Sequence, residues 1–306
     1  MQLYLPIAEM TISADLIFAV SAFVGFLSGV FGIGGGFLTT PFLIFSGIPP
    51  AVAVGTQASQ LVASSVSGAI GHWQRGNVDI KMGLVMLGGG LLGSFVGIFI
   101  FKLLQYLGQI DFAVSLIYVI LLGSIGSMML FESVFSRFFK KKTVRREFNT
   151  MKTSAVLAML PYKMRFPRSK LYISALVPGG IGFVGGILAS VLGIGGGFLL
   201  VPAMIYLLGM PTLLVAGTSL FQIIFTTAAA TIMHAVFNHT VDAVLAVVLI
   251  VGGVFGAQVG LSAARFVRQD HARLILAILV LLVCFQLCFS LFMEPGELFS
   301  TVVWSV

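Results

Sequence analysis

The stretch GIGGGFLTTP runs from Gly32 to Pro41, and GIGGGFLLVP repeats it from Gly193 to Pro202. Glycine destabilises a helix by about 1 kcal/mol relative to alanine. Three consecutive glycines therefore predict a break in any helix that contains them. Both copies lie in strongly apolar sequence, so the pair predicts two membrane helices that are broken at related places in the chain.

The composition around these blocks is that of a membrane protein. The chain has 306 residues, of which 58% are hydrophobic and 9% charged, and its mean hydropathy is +1.11. A soluble domain has about 25% charged residues. The opening residues lack a basic region and a cleavage site, so we expect no removable signal peptide. Cys284 and Cys288 lie in an apolar stretch, where cysteine usually behaves as a small hydrophobic residue.

Hydropathy divides the chain into two groups of five apolar segments. A basic stretch separates them and contains 11 of the 17 lysines and arginines, between Arg137 and Lys170. We interpret residues 1–131 as a first transmembrane repeat, 132–170 as a basic cytoplasmic linker, and 171–306 as a second transmembrane repeat. The segments are 14–31, 36–47, 51–73, 80–102, 111–131, 171–192, 197–209, 212–236, 243–264 and 272–293.

The two groups resemble each other well beyond the glycine blocks, at an offset of 161 to 163 residues. Such a match over about 70 residues indicates an internal duplication. The matched pairs are Gly55-Thr56 with Gly217-Thr218, Gln60 with Gln222, His72 with His234, Asp79 with Asp242, and Gly89, Gly93 and Gly97 with Gly252, Gly256 and Gly260.

The distribution of positive charge favours repeats of opposite orientation. Segments 36–47 and 197–209 are too short to span comfortably at 1.5 Å per residue, so each is broken or re-entrant. If each still counts as a crossing, both termini lie outside. A scheme of four crossings in each half would place Arg265, Arg268 and Arg273 outside, against the positive-inside rule. The predicted fold is an all-α polytopic membrane protein with two inverted repeats of five helical segments.

The glycine blocks are the first candidate binding site. Residues that follow an unwound stretch begin a helix whose free N–H groups and positive dipole end favour an anion. Discontinuous helices of inverted repeats form the substrate site in many transporters, whereas close helix packing is the alternative role for the glycines. The candidate residues are Gly34, Gly35, Gly36, Phe37, Gly195, Gly196, Gly197 and Phe198.

Two polar stripes follow the glycine blocks. Polar residues at four-residue steps share one helix face, where they can bind an oxyanion or join helices by hydrogen bonds. The stripes are Thr56, Gln60 and Ser64 in the first repeat and Thr218, Gln222 and Thr226 in the second.

His72 and His234 follow these stripes, and Arg75 lies beside His72. Histidine titrates near neutral pH, and an ionisable residue at membrane depth is a functional candidate. We predict a role in proton coupling or gating for these three residues, with a plain interfacial position as the alternative.

Other chemistries find little support in the sequence. No pairing of a nucleophile with a base is evident, the histidines are too scattered for a metal site, and no nucleotide-binding motif is present. We therefore predict no enzyme activity, no cofactor, no metal and no nucleic-acid partner. The GxxxG-like repeats around Gly89 and Gly252 favour close helix packing, within the chain or in a homodimer. The basic linker suggests contact with anionic lipids.

The doubled Gly-Ile-Gly-Gly-Gly-Phe-Leu-x2-Pro block and the Gly-Thr-x3-Gln helix resemble the TauE/SafE sulfite exporter family of permeases. The resemblance implies a secondary transporter in a bacterial or archaeal inner membrane. Its substrate would be sulfite or an organosulfonate such as sulfoacetate, moved by alternating access with the proton motive force. A membrane-embedded enzyme or cofactor-maturation factor, and an uncoupled anion channel, are the alternatives.

Overall fold

The same order of elements occurs twice in the protein. A computed structural model describes residues 2–31, 34–138, 161–263 and 269–292. Each half contains a short β-hairpin followed by five helices. The basic residues Lys140, Lys141, Lys142, Arg145 and Arg146, together with Gly32, Arg265 and Arg268, lie outside the described residues.

The helices agree with the apolar segments of the sequence except at the start of segment 171–192, where Leu171–Ser174 form a strand and the helix begins at Leu176. Those of the first half are α1 (Ala14–Phe31), α2 (Gly36–Phe45), α3 (Pro50–Gln74), α4 (Ile80–Tyr106) and α5 (Ile110–Phe138). Those of the second half are α6 (Leu176–Leu192), α7 (Gly197–Tyr206), α8 (Thr212–Met233), α9 (Ala243–Ala263) and α10 (Gln269–Phe292), with a π-helical turn at His234–Asn238 that continues α8.

Five stretches within these helices are long and apolar enough to cross a membrane: Ile80–Tyr106, Ile110–Phe131, Thr212–Asn238, Ala243–Ala263 and Leu274–Leu291. Large apolar side chains such as Phe99 and Phe285 are more than 70% exposed on the outer surface of the bundle. Lipid is the solvent that suits such a surface. The chain is a multi-pass, helical membrane protein.

Two β-hairpins extend the repeat beyond what the sequence indicates. Strand β1 (Gln2–Leu5) pairs with β2 (Met10–Ser13), and β3 (Lys163–Phe166) pairs with β4 (Leu171–Ser174). The registers correspond, because Gln2 opposes Ser13 as Lys163 opposes Ser174. The repeat therefore includes a hairpin before its first helix. The second hairpin occupies part of the stretch that we interpret as linker.

Each hairpin binds the opposite half through a buried aspartate. Asp79 begins α4, and one of its carboxylate oxygens accepts hydrogen bonds from the backbone N–H and the hydroxyl of Ser169 in the second hairpin, at 3.1 and 2.5 Å. In the mirrored arrangement, Asp242 precedes α9 and accepts a 3.0 Å bond from the N–H of Ile7. The other oxygen of each carboxylate caps its own helix, at Met82 and at Leu245.

Glycines hold the two halves in an interlocked arrangement. Helix α4 of the first half packs on α6 of the second, and α9 of the second packs on α1 of the first. A side chain at Gly89 or Gly93 would overlap the backbone of Gly179 or Phe183, and one at Gly256 would overlap the backbone of Ala22. The tandem small-residue motifs therefore join the two halves, as close helix packing requires.

Helices α3 and α8 form the centre of this arrangement and run antiparallel. The start of α3 lies against the residues after α8, because Gly55 contacts Thr240, and the start of α8 lies against the end of α3, because Gly217 contacts His72 and Asn77. The third helices of the two halves therefore point in opposite directions.

Candidate functional site

The two glycine blocks interrupt the helices and lie against each other. Helix α1 ends at Phe31 and α2 begins at Gly36, while α6 ends at Leu192 and α7 begins at Gly197. Gly195 and Gly196 have φ values of +74° and +72°, a conformation that side-chain-bearing residues rarely adopt. Gly36 and Gly197 are thus the first helical residues rather than parts of the unwound stretch.

Phe37 and Phe198 mark the junction of the two blocks. Their rings stack with centroids 4.4 Å apart and planes inclined by 14°, and both side chains are about 1% exposed. A side chain at Gly36 would meet the carbonyl oxygen of Gly193 and the Cα atom of Ile194. The starts of α2 and α7 therefore lie side by side, buried in the protein.

Each short helix leaves its first N–H groups without a partner inside the helix, as every helix start does. The first intrahelical bonds run from Leu38 and Thr39 to the carbonyl of Gly35, and from Leu199 and Leu200 to that of Gly196. No described residue at either start provides a capping side chain. Two positive dipole ends thus meet where an anion could bind.

The side chains nearest to Gly34 and Gly195 are Leu61, Ile223 and Thr227, whereas Val24 is nearest to Gly35. Leu61 and Ile223 both lie within 4 Å of the Cβ position of Gly34, and all three surround that of Gly195. Leu61 and Ile223 are one residue further along their helices than Gln60 and Gln222. The residues in contact with the blocks are therefore mostly apolar, and the predicted stripes lie on the adjacent face.

Thr56 and Thr218 lie near the starts of α3 and α8, where each contacts a loop of the opposite half. The hydroxyl oxygen of Thr56 accepts a 2.9 Å bond from the N–H of Asp242, and that of Thr218 accepts a 3.0 Å bond from the N–H of Asp79. These two members of the stripes thus join each repeat to the start of the other repeat's fourth helix.

Gln60 and Gln222 are both fully buried but differ in their partners. The Gln60 amide donates to the hydroxyl of Ser21 at 3.1 Å and accepts from the side chain of Gln57. Gln222 lies against Gly90 of α4, and neither its oxygen nor its nitrogen has a hydrogen-bond partner among the described residues.

Ser64 and Thr226 lie near the middle of α3 and α8. Both are buried, and their hydroxyl groups donate to carbonyl oxygens of their own helices, at Leu61 and Gln222 respectively. The structure therefore places all six stripe residues in the interior of the protein, where the two halves meet. Thr56 and Thr218 bind the loops of the opposite half.

His72 and His234 occupy equivalent positions but different surroundings. His234 is fully buried, its Nε2 atom lies 2.8 Å from the carbonyl oxygen of Ser190, its Nδ1 atom lies 3.1 Å from the Asn238 amide, and its ring meets the edge of Phe101. His72 is partly exposed near the end of α3, and Arg75 is fully at the surface. The structure separates these two from His234.

Sequence reasoning missed Tyr118, one of the two side chains that bind the end of α6 before the second glycine block. The Tyr118 hydroxyl donates a 2.7 Å bond to the carbonyl oxygen of Leu192, the last residue of α6, and His234 binds that of Ser190. The carbonyl groups at a helix end need such partners. A tyrosine within the apolar segment 111–131 was the available signal, because a buried hydroxyl needs a hydrogen-bond acceptor.

No group of three potential metal ligands occurs among the described residues. The junction is also closed, because Phe37, Phe198, Leu61 and Ile223 are all at most 1% exposed. The arrangement is thus a buried meeting point of two helix starts, flanked by hydroxyl and amide groups.

Comparison with known proteins gives a consistent family. A family model described as "Sulfite exporter TauE/SafE" matches residues 17–287. A "Probable membrane transporter protein" of Xylella fastidiosa is 31% identical over 252 residues, covering 81% of this chain and 84% of that protein. The "Probable membrane transporter protein YunE" of Bacillus subtilis is 28% identical over 285 residues, covering 89% and 98%. No solved structure matches the chain.

Proposed function

Because the chain belongs to the sulfite exporter TauE/SafE family, we propose that it is a secondary transporter for a small sulfur-containing anion such as sulfite or an organosulfonate. The observation that carries this proposal is the meeting of the α2 and α7 starts at Phe37 and Phe198. Two helix N-termini can bind a compact oxyanion through backbone N–H groups without a cationic side chain.

The proposed transport cycle is alternating access. The antiparallel course of α3 and α8 supports repeats that are inverted across the membrane, and inverted repeats can face either side in turn by the same movement. The buried junction between Gly34 and Gly195 then corresponds to a closed intermediate. We propose that the proton motive force drives the cycle, with His72, Arg75 and His234 as gating or coupling groups.

The proposed substrate-binding residues are those of the two glycine blocks and the two stripes. The blocks supply backbone N–H groups, and the stripes supply hydroxyl and amide groups at the seams that must move. We also propose a bacterial or archaeal inner-membrane location, a cytoplasmic basic linker, contact of that linker with anionic lipids, and assembly as a homodimer.

Flux measurements in proteoliposomes test the substrate and the coupling. We expect uptake of radiolabelled sulfite or sulfoacetate that increases with an imposed proton gradient. Flux that ignores the gradient would indicate a channel. Absence of flux for every sulfur-containing anion would overturn the proposal.

The glycine blocks allow a matched pair of variants. Gly196→Ala introduces a side chain at positive φ against the backbone of Gly185, whereas Gly209→Ala introduces one at φ +67° with no atom within 4 Å. We expect flux to fall strongly in the first variant and little in the second, with both proteins still inserted. Equal flux in the two variants would contradict a role for the second block.

The orientation can be measured separately. In a protein without Cys284 and Cys288, single cysteines replace Gln74 and Tyr106. Both residues are exposed and end the successive helices α3 and α4, so the proposed topology places them on opposite sides of the membrane. A membrane-impermeant maleimide should label position 106 from outside and leave position 74 unlabelled. The reverse pattern would overturn the proposed sidedness.

A further inference from the structure

The two repeats place a glutamine at the same point of their third helices, and only one of the two is satisfied. Gln60 donates to the Ser21 hydroxyl, which in turn donates a 2.6 Å bond to the carbonyl oxygen of Leu249. The amide oxygen of Gln60 accepts from Gln57. Gln60 is thereby part of a hydrogen-bond network that ties α3 to α1 and α9, and both of its own polar atoms are paired, although the side-chain oxygen of Gln57 has no partner among the described residues.

The second repeat lacks the groups that would form this network. At the matching offset, Gly182 replaces Ser21 and Ser219 replaces Gln57. Gly182 has no side chain, and the Ser219 hydroxyl donates to the carbonyl oxygen of Ala216 in its own helix. Gln222 is 0% exposed, and both polar atoms of its amide are unpaired in the part of the chain that the structure describes.

The surroundings of Gln222 are shaped to admit its amide. A side chain at Gly90 would collide with the Nε2 atom of Gln222 and with the methyl group of Thr226. Burying an amide without a partner destabilises the protein. A glycine on α4 thus makes room for the Gln222 amide, as Gly253 on α9 does for that of Gln60. The two sites differ in that the Gln222 amide is buried without a partner among the described residues.

No titratable side chain of the surrounding helices lies close to this amide. Helices α6 and α8 contain none within their bounds, that of α7 is Tyr206 at its last residue, and those of α4 are Lys81, Lys102 and Tyr106 near its ends. On α3 the titratable residue is His72, at the far end, and His234 follows α8 with both ring nitrogen atoms engaged. A proton at this position would therefore have to be carried by the ligand.

We propose that Gln222 binds the transported anion directly and selects its hydrogen-bearing, singly charged form, whereas Gln60, whose amide is already paired, contributes less to binding and mainly positions the helices. The amide N–H groups donate to the oxyanion, and the amide oxygen accepts the ligand's O–H. A dianion such as SO3²⁻ has no hydrogen for that oxygen, whereas hydrogensulfite has one. This inference rests on the proposed function and assigns the co-transported proton to the substrate itself.

Replacing each glutamine by methionine, which has a similar shape, tests the asymmetry. Gln222→Met removes two unpaired polar atoms, so we expect an equal or higher melting temperature without ligand and at least tenfold weaker sulfite binding, as loss of about 1.4 kcal/mol implies. Gln60→Met breaks the Ser21 network, so we expect a lower melting temperature and a clearly smaller loss of sulfite affinity than in Gln222→Met.

Titration calorimetry of the purified full-length protein with sulfite at pH 6 and pH 8 tests the protonation state. The dissociation constant should be the same at both pH values when calculated from the hydrogensulfite concentration, and should rise at pH 8 when calculated from total sulfite. Sulfate, which carries no hydrogen at these pH values, should not bind. Gln222→Leu serves as a second variant and should behave like Gln222→Met.

Several outcomes would overturn the inference. If Gln222→Met lowers the melting temperature and leaves sulfite binding unchanged, a buried water satisfies the amide and the residue is structural. If the dissociation constant follows the dianion, or if Gln60→Met weakens binding equally, the assignment is wrong. Failure of the unmodified protein to bind or transport any sulfur oxyanion would instead remove the proposed function on which the inference depends.

Discussion

The hydroxyl of Tyr118 donates a 2.7 Å hydrogen bond to the carbonyl oxygen of Leu192, the last residue before the second glycine block. Tyr118 belongs to α5 of the first repeat, and Leu192 ends α6 of the second. A side chain from one half therefore fixes the place where a helix of the other half stops.

Tyr118→Phe should destabilise the protein while keeping its packing. The change leaves a buried carbonyl without its donor, which costs about 1 to 3 kcal/mol. We expect a lower melting temperature in detergent and, if the second block binds substrate, reduced flux. Tyr106→Phe is the control, because Tyr106 is 89% exposed. Equal melting temperatures for the two variants would contradict the role assigned to the Tyr118 hydroxyl.

Gly89 and Gly88 should respond differently to the same substitution. A methyl group at Gly89 would overlap the carbonyl oxygen of Gly179 across the contact between α4 and α6, whereas one at Gly88 meets nothing within 4 Å. Gly89→Ala should lower the melting temperature and broaden the size-exclusion peak. Gly88→Ala should do neither, and can gain up to about 1 kcal/mol from its higher helix propensity. Similar behaviour of both variants would argue against this helix contact.

Asp79→Asn should release the second hairpin. The substitution retains one oxygen to cap α4 but turns an N–H group toward the two donors of Ser169, removing hydrogen bonds to a charged group that contribute about 1.5 to 3 kcal/mol each. Trypsin should then cleave faster at Lys163, Arg165, Arg168 or Lys170 in the hairpin. Ser169→Ala removes only the hydroxyl contact and should have a smaller effect. The aspartate has another role if cleavage rates remain unchanged.

Phe37 and Phe198 should show energetic coupling. A double-mutant cycle of Phe37→Ala and Phe198→Ala should give an interaction energy of about 0.5 to 1.5 kcal/mol, as stacked aromatic pairs do. Phe95 and Phe99 form a matched pair on the exposed face of α4, with centroids 6.3 Å apart, and should give a smaller value. Strict additivity for Phe37 and Phe198 would mean that their stacking does not stabilise the junction.

The sequence predicts the helices well and their contacts poorly. The starts of α2 and α7 follow from the glycine runs, because consecutive glycines are a local property with a direct effect on the backbone. The β-hairpins were not predicted, since strands of four residues such as Lys163–Phe166 have no distinct periodicity and this one lies in a basic stretch. Their role depends on Asp79 and Asp242, which contact residues far away in the sequence.

The partners of the proposed binding residues were also not predictable from the sequence. Periodicity places Gln60 and Gln222 on one helix face but does not show which neighbour that face meets. Their different partners follow from two substitutions on another helix and on the preceding turn, Ser21 to Gly182 and Gln57 to Ser219. A pattern within one helix contains no information on such pairings, which only the packed structure provides.

Because helices of the two halves pack on each other, the first half of the protein cannot complete its packing until the second half has been synthesised. Gly89 packs on Gly179, and Asp79 binds Ser169. These partners in the second half are synthesised roughly 90 residues after the first-half residues that contact them. Domains that fold by themselves can, in contrast, form during synthesis. The newly inserted first half is thus an incomplete assembly with open helix seams. Its maturation is a late event, and cells in which synthesis stops early should hold a membrane-inserted fragment that quality-control proteases recognise and remove.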